Sequence, residues 1–257
     1  MKKNLLLCHV GLGDAFICNG LVRTLGERYG NLIVPSIPDY YETVKFMYSD
    51  LDSIEVLKLP EWDKFVDDLE LRRRHFENLL NLTDYNVTAL GFLNETEGLW
   101  DGMRSIDRGF YAQAKVPFSY KWSKCWFPRS DNQIPVPEGD YVFVHMDKTR
   151  RLEFGNNFSC KTVYNTDYYT NNIFDWEDVI RGAKEIHVMD SCFANWIELM
   201  EGLSHIPKVL YDTKHIFGHP GFPTYRRPEW KVITNLKNQP SYSPTEDTIW
   251  GPCVSKN

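Results

Sequence analysis

The stretch His9–Gly30, HVGLGDAFICNGLVRTLGERYG, decides how the fold is read. It follows the apolar run Leu5-Leu6-Leu7-Cys8 and carries two close glycines, Gly11 and Gly13. Apolar residues then recur at Ala15, Cys18, Leu21, Val22 and Leu25. The pattern predicts a strand over residues 4–9, a glycine turn, and a helix from Asp14 to Tyr29 with Gly30 as its stop. A glycine turn at a helix N-terminus offers exposed N–H groups to a phosphate, yet Asp14 sits where that anion would rest. Phe16 also stands where a dinucleotide fingerprint has its third glycine. A hydride-transferring enzyme is therefore a poor fit. Two readings of Asp14 stay open: a helix cap, or a carboxylate presented at the end of the first strand as a general base.

Working outward, strands alternate with helices. NLIVP is a short strand, YYETVKFMYS a helix with Tyr40, Val44 and Met47 on one face, IEVLKL a strand, residues 62–80 a charged helix, YNVTALGF a strand, and residues 99–114 a helix. That alternation predicts a parallel sheet with crossover helices. FPRSDNQIPVPEGD (127–140) has the chemistry of a linker, with three prolines, a glycine and polar residues. Beyond it YVFVHM, TVYNT, EIHVM, KVLY and WKVIT read as strands, and DWEDVIRGA and SCFANWIELMEGL as helices; the tail from Lys237 reads as loop. The expected division is an α/β half over 1–130 and a second over 137–257.

Four groups of residues carry possible chemistry. Gly11, Gly13 and Asp14 form the first. In HVMDSCFANWIELM (187–200), Asp190 and Ser191 stand between a strand and a helix, either as caps or as an anion site built on the helix N-terminus. In YVFVHMDKTRRLEF (141–154), a strand leads to His145 and then to Lys148, Arg150 and Arg151, a cationic loop suited to a diphosphate. Taken alone, such a charge run is more often simply solvated. The stretch 105–127 is dense in aromatics, whose faces suit sugar rings but are more often core. Arg72-Arg73-Arg74 reads as a solvated helix face.

Composition narrows the classes. Hydrophobic residues make up 42% of the 257-residue chain, enough for a real core. A net charge of -6 argues against a general nucleic-acid footprint. No run approaches the roughly 20 apolar residues of a membrane span, and the N-terminal run is too short for a signal peptide. The six cysteines are scattered without a Cys-x-x-Cys pair, so neither zinc nor a disulfide framework is expected. Reduced thiols fit a cytoplasmic location.

The ordered set of GLGD, the cationic loop after the first strand of the second half, and MDS resembles the GT-B glycosyltransferases, most nearly the bacterial heptosyltransferase-like families. The middle of the chain, GFYAQAKVPFSYKW into YVFVHMDKTRR, is similar to small glycosyltransferase-like proteins of large DNA viruses and bacteria. The resemblance implies two Rossmann-like halves of reduced size facing a cleft. The first would be the acceptor side and the second would hold a nucleotide-sugar donor. It implies an inverting, metal-independent transfer to a glycan or other hydroxyl acceptor, with no cofactor beyond the donor. Asp14 would be the base, with Gly11, Gly13, Arg108 and Tyr111 about the acceptor. His145, Lys148, Arg150, Arg151, Asp190, Ser191 and Glu198 would hold the donor. It departs from the heptosyltransferase pattern after Asp190-Ser191, where Cys192–Trp196 supply no histidine. The implied setting is the cytoplasm of a bacterium or of a virus-infected host cell. Two other readings compete: an epimerase or hydrolase of nucleotide sugars using Asp14 and His145, and a non-catalytic carbohydrate- or nucleotide-binding module.

Overall fold

A computed structural model describes residues 2–8, 11–60, 74, 76–91, 105–146, 158, 160–212 and 226–233. The chain divides into two compact units between Pro128 and Arg129. Most of the helix expected over 62–80 and the tail from Lys237 lie outside the described residues.

The first unit contains β1 (Lys3–Leu7), α1 (Leu12–Ile17), α2 (Asn19–Tyr29), β2 (Leu32–Ser36), α3 (Tyr41–Met47), β3 (Ile54–Lys58), β4 (Tyr85–Ala89), α4 (Ile106–Gln113) and α5 (Tyr120–Ser123). Its strands form a parallel sheet in the order β3-β2-β1-β4. The inner strands bury Leu5, Leu6, Leu32 and Ile33 on both faces, as parallel sheets covered by helices require. The edge strand β4 is polar or half-exposed along its length, which blunts an open edge. One sheet face packs Leu5, Leu7, Ile33, Ile37, Leu59 and Phe76 together.

The helix expected from Asp14 to Tyr29 is two helices. α1 ends at Cys18, and α2 runs on to Gly30, whose left-handed backbone (φ 70°) closes it. The break at Cys18 has partners that make it stable. Tyr111 Oη accepts from Leu21 N at 3.2 Å, satisfying a backbone donor at the new helix start. The Tyr120 carbonyl approaches Gly20 so closely that a Cβ there would sit 2.0 Å from it. Buried Arg23 then ties α2 to its surroundings. It grips both Asp50 oxygens at 2.8 Å and donates to Asn19 Oδ1, Met47 O and Trp126 O. In the aromatic stretch 105–127, Phe110 and Tyr111 are core, Phe118, Tyr120, Trp122 and Phe127 are half-buried, and Trp126 is exposed; Tyr111, Phe118 and Trp122 meet edge to face.

The second unit contains β5 (Tyr141–Val144), β6 (Lys161–Tyr164), α6 (Glu177–Gly182), β7 (Glu185–Met189), α7 (Cys192–Leu199), β8 (Lys208–Tyr211) and β9 (Trp230–Ile233). Its parallel sheet has the order β6-β5-β7-β8-β9, separate from the first. Val142, Val144, Met189, Val209 and Tyr211 line one face. On the other, Phe143 meets Trp176 and Phe193. The proline-rich stretch expected as a linker is instead held down on this unit. Ser130 Oγ donates to Asp175, Ile134 N to Asp175 O, and Gln133 Nε2 to Phe174 O, while Asp178 N donates to Gln133 Oε1. Its prolines fix the backbone, and its polar side chains supply the bonds that regular structure would otherwise give.

Candidate functional site

Both sheets present their candidate residues just past the carboxyl ends of strands, where open α/β sheets place ligands. In the first unit Gly11 is the N-cap of α1, with extended backbone (φ -69°, ψ 145°), so the cap reading of Asp14 is corrected. Asp14 is the third residue of the helix, half-buried, with Gly13 just before it. Its carboxylate folds back over the N-cap: a Cβ on Gly11 would lie 2.7 Å from Asp14 Oδ2. The missing side chain at Gly11 is what leaves room for the carboxylate. A carboxylate in a helix's first turn is stabilised by the N-terminal dipole.

Asp14 also acts on the thiols around it. Burial first, and then the Asp14 charge, push the Cys8 thiol up to about 12. Burial, with the same charge among its neighbours, holds Cys18 well above the ordinary thiol range. Both cysteines therefore stay neutral and inert at working pH. Iodoacetamide at pH 8 is expected to modify the half-buried Cys125 and Cys160 in the native protein. Cys8 and Cys18 should react only after denaturation, as read by peptide mass mapping.

Two residues expected about the acceptor are placed differently. Tyr111 is 1% exposed with its hydroxyl committed to Leu21, so it is a core residue and not an acceptor contact. Arg108 is exposed on α4, its guanidinium 4.4 Å from the Phe118 ring centre. The chain also carries one Asp-x-Asp triplet, Asp50-Leu51-Asp52, whose Asp50 is taken by Arg23.

In the second unit, neighbouring parallel strands bring two sequence motifs together. His145 continues β5, its N–H donating to His187 O of β7 at 2.8 Å. Ser191 follows β7 as the N-cap of α7, and its Oγ lies 3.3 Å from His145 Nδ1. The His145 ring rests on Phe193 with centroids 4.5 Å apart, which fixes its orientation. Asp190 and Asn195 meet at one group that the motif reading passed over. Arg226 Nη2 donates to Asp190 Oδ1 at 3.2 Å and to Asn195 Oδ1 at 2.6 Å. Glu198 does not join this group at the helix start. Its side chain is fully buried, accepting from Trp230 Nε1 at 2.6 Å and pairing with Arg227. It anchors β9 to α7 and is not presented to a ribose. Lys148, Arg150 and Arg151 lie outside the described residues. Among the described residues no three His, Cys, Asp or Glu side chains cluster as metal ligands, and no helix is long and apolar enough to cross a membrane.

No family model matches the chain, and no curated protein matches it by sequence. Solved structures do match by shape. The dodecameric iron-containing heptosyltransferase TibC in complex with ADP-D-beta-D-heptose aligns with a TM-score of 0.52 at 12% identity, over 98% of this chain and 69% of that one. TibC from enterotoxigenic E. coli, described as an iron-containing dodecameric glycosyltransferase, gives 0.50 at 11%, over 99% and 71%. The E. coli ADP-heptose LPS heptosyltransferase II gives 0.47 at 11%, over 90% of each chain. The chain has a GT-B-like fold. Two separate parallel sheets are the feature of this chain that agrees with that GT-B likeness.

Proposed function

We propose that the chain is an inverting, metal-independent glycosyltransferase that moves a sugar from a nucleotide-sugar donor to a hydroxyl of a glycan or other acceptor. The observation that carries the reading is Asp14: a carboxylate at the end of β1, given its room by Gly11, in a GT-B-like fold. The acceptor O–H attacks the anomeric carbon, and Asp14 takes the proton. The bond from that carbon to the diphosphate oxygen breaks, and the diphosphate leaves with the electron pair. One displacement inverts the anomeric centre. General-base help of this kind is worth ~10²–10⁴-fold.

The leaving diphosphate gathers negative charge, which fixed dipoles and cations stabilise. The start of α7 with Ser191, the neighbouring His145, and the cationic residues Lys148, Arg150 and Arg151 supply them in this reading, with Asp190 shaping the helix start. Gly11 and Gly13 let the acceptor hydroxyl come close to the backbone, and Arg108 stands on the acceptor unit.

The test is incubation with UDP-, GDP-, CDP-, ADP- and TDP-sugars and a panel of glycan acceptors, with products read by NMR. Transfer with the opposite anomeric configuration, at a rate unchanged by EDTA, is expected. Release of an altered or hydrolysed nucleotide sugar would replace the transferase with an epimerase or hydrolase. Binding without turnover would leave a binding module.

A further inference from the structure

The start of α7 is held by an arginine whose bonds are only partly used. Arg226 lies just before β9, 36 residues after Asp190, and its side chain is 6% exposed. Nη2 serves both Asp190 and Asn195, while Nε and Nη1 are buried and meet no acceptor among the described residues. A guanidinium carries five N–H donors and keeps its charge at any working pH. Leaving its buried donors unmatched costs stability that a purely structural arginine would have no reason to forfeit. A structural role needs only the two bonds of Nη2.

The neighbourhood shows what the remaining donors would take. Asp190 and Asn195 flank Ser191, the N-cap of an eight-residue helix, and the Ser191 hydroxyl makes no capping bond. The first bond within the helix runs from Asn195 N to Ser191 O, so the first-turn N–H groups precede it and face the same end. The helix dipole, the Ser191 hydroxyl and the guanidinium that Asp190 and Asn195 hold all belong to the same end of α7, and each favours an anion. Asp190 balances the single charge of Arg226, which keeps the arginine in position without filling its other N–H groups.

We infer that Arg226 binds a phosphoryl oxygen of the donor diphosphate at the start of α7, through the N–H groups that no acceptor among the described residues takes. The assignment rests on the nucleotide-sugar reading for the identity of its ligand. Lysine cannot replace arginine here, because one ammonium cannot hold Asp190 and Asn195 and also present donors in the other directions.

Pyrophosphate, and separately UDP, GDP, CDP, ADP and TDP, would be titrated calorimetrically into the wild type, Arg226→Lys, and Arg129→Ala as a surface control. Arg226→Lys should weaken pyrophosphate and the preferred nucleoside diphosphate by about 10- to 100-fold, the range of charged hydrogen bonds. Arg129→Ala should bind as wild type. In case the lysine variant folds poorly, the wild type alone gives a second readout. In a spectrum of protein labelled with ¹⁵N-arginine, the Arg226 Nε–H resonance should shift on adding pyrophosphate. A stationary resonance, equal affinity in Arg226→Lys, or a wild type blind to pyrophosphate and all five diphosphates overturns the assignment. Sugar transfer that persists with an unchanged donor KM in Arg226→Lys overturns it while the transferase reading stands. A shifted resonance without any transfer keeps the anion site and removes the transferase.

Discussion

Asp14→Asn should lower turnover by ~10²-fold or more while leaving donor binding and melting temperature nearly unchanged. The amide has the same shape and fits beneath the N-cap in the space Gly11 leaves. What it loses is the capacity to accept a proton, together with a charge–dipole interaction worth about 0.3–1 kcal/mol. Gly11 and not Asp14 is the N-cap of α1, and asparagine keeps a side-chain oxygen that accepts hydrogen bonds as the carboxylate does. Gly11→Ala tests the same point from the other side. Its methyl would meet Asp14 Oδ2 at 2.7 Å, and the carboxylate must swing away. Turnover should fall with little loss of stability, since the atom displaced is the end of a side chain. The measurement is a rate, a donor affinity and a melting temperature on each variant. Full activity in Asp14→Asn would remove the base from the mechanism, and with it the main ground for choosing a transferase over a binding module.

What could be read in advance follows from how local each signal is. The strands at Leu5–Leu7, Tyr141–Val144 and Val209–Tyr211 were legible because both of their faces are buried, so the sequence shows an unbroken apolar run. The pairing of His145 with Ser191 followed from topology, since two parallel strands ending side by side bring their next residues together. Asp14 as a cap misled because the true cap, Gly11, has no side chain to announce it. Tyr111 and Glu198 misled for a different reason. Their residue types suit ligands, and only the tertiary structure shows Leu21, Trp230 and Arg227 already using them. Arg226 gave no usable signal. In TYRRPEW an arginine pair before a proline reads as a solvated turn, and its partners lie 31 and 36 residues upstream.

Lys121→Met should cost ~3–5 kcal/mol of stability, the usual penalty for removing one member of a buried ion pair. Lys121 Nζ donates to Asp107 Oδ2 at 2.5 Å, and neither side chain has any solvent exposure. The ammonium sits 5.1 Å from the Trp122 ring centre and 5.8 Å from that of Phe118. Methionine fills much the same space and takes the ammonium away from Asp107, which also accepts from Arg108 N at 3.1 Å. The melting temperature should drop by roughly 10 °C or more. Adding Asp107→Leu should restore most of the loss, because a matched apolar pair replaces a buried charge pair at little net cost. If the single variant melts like wild type, α4 and α5 are not held by this pair. The contacts they supply at the start of α2, Tyr111 to Leu21 and Tyr120 against Gly20, would then owe their stability to the aromatic packing alone.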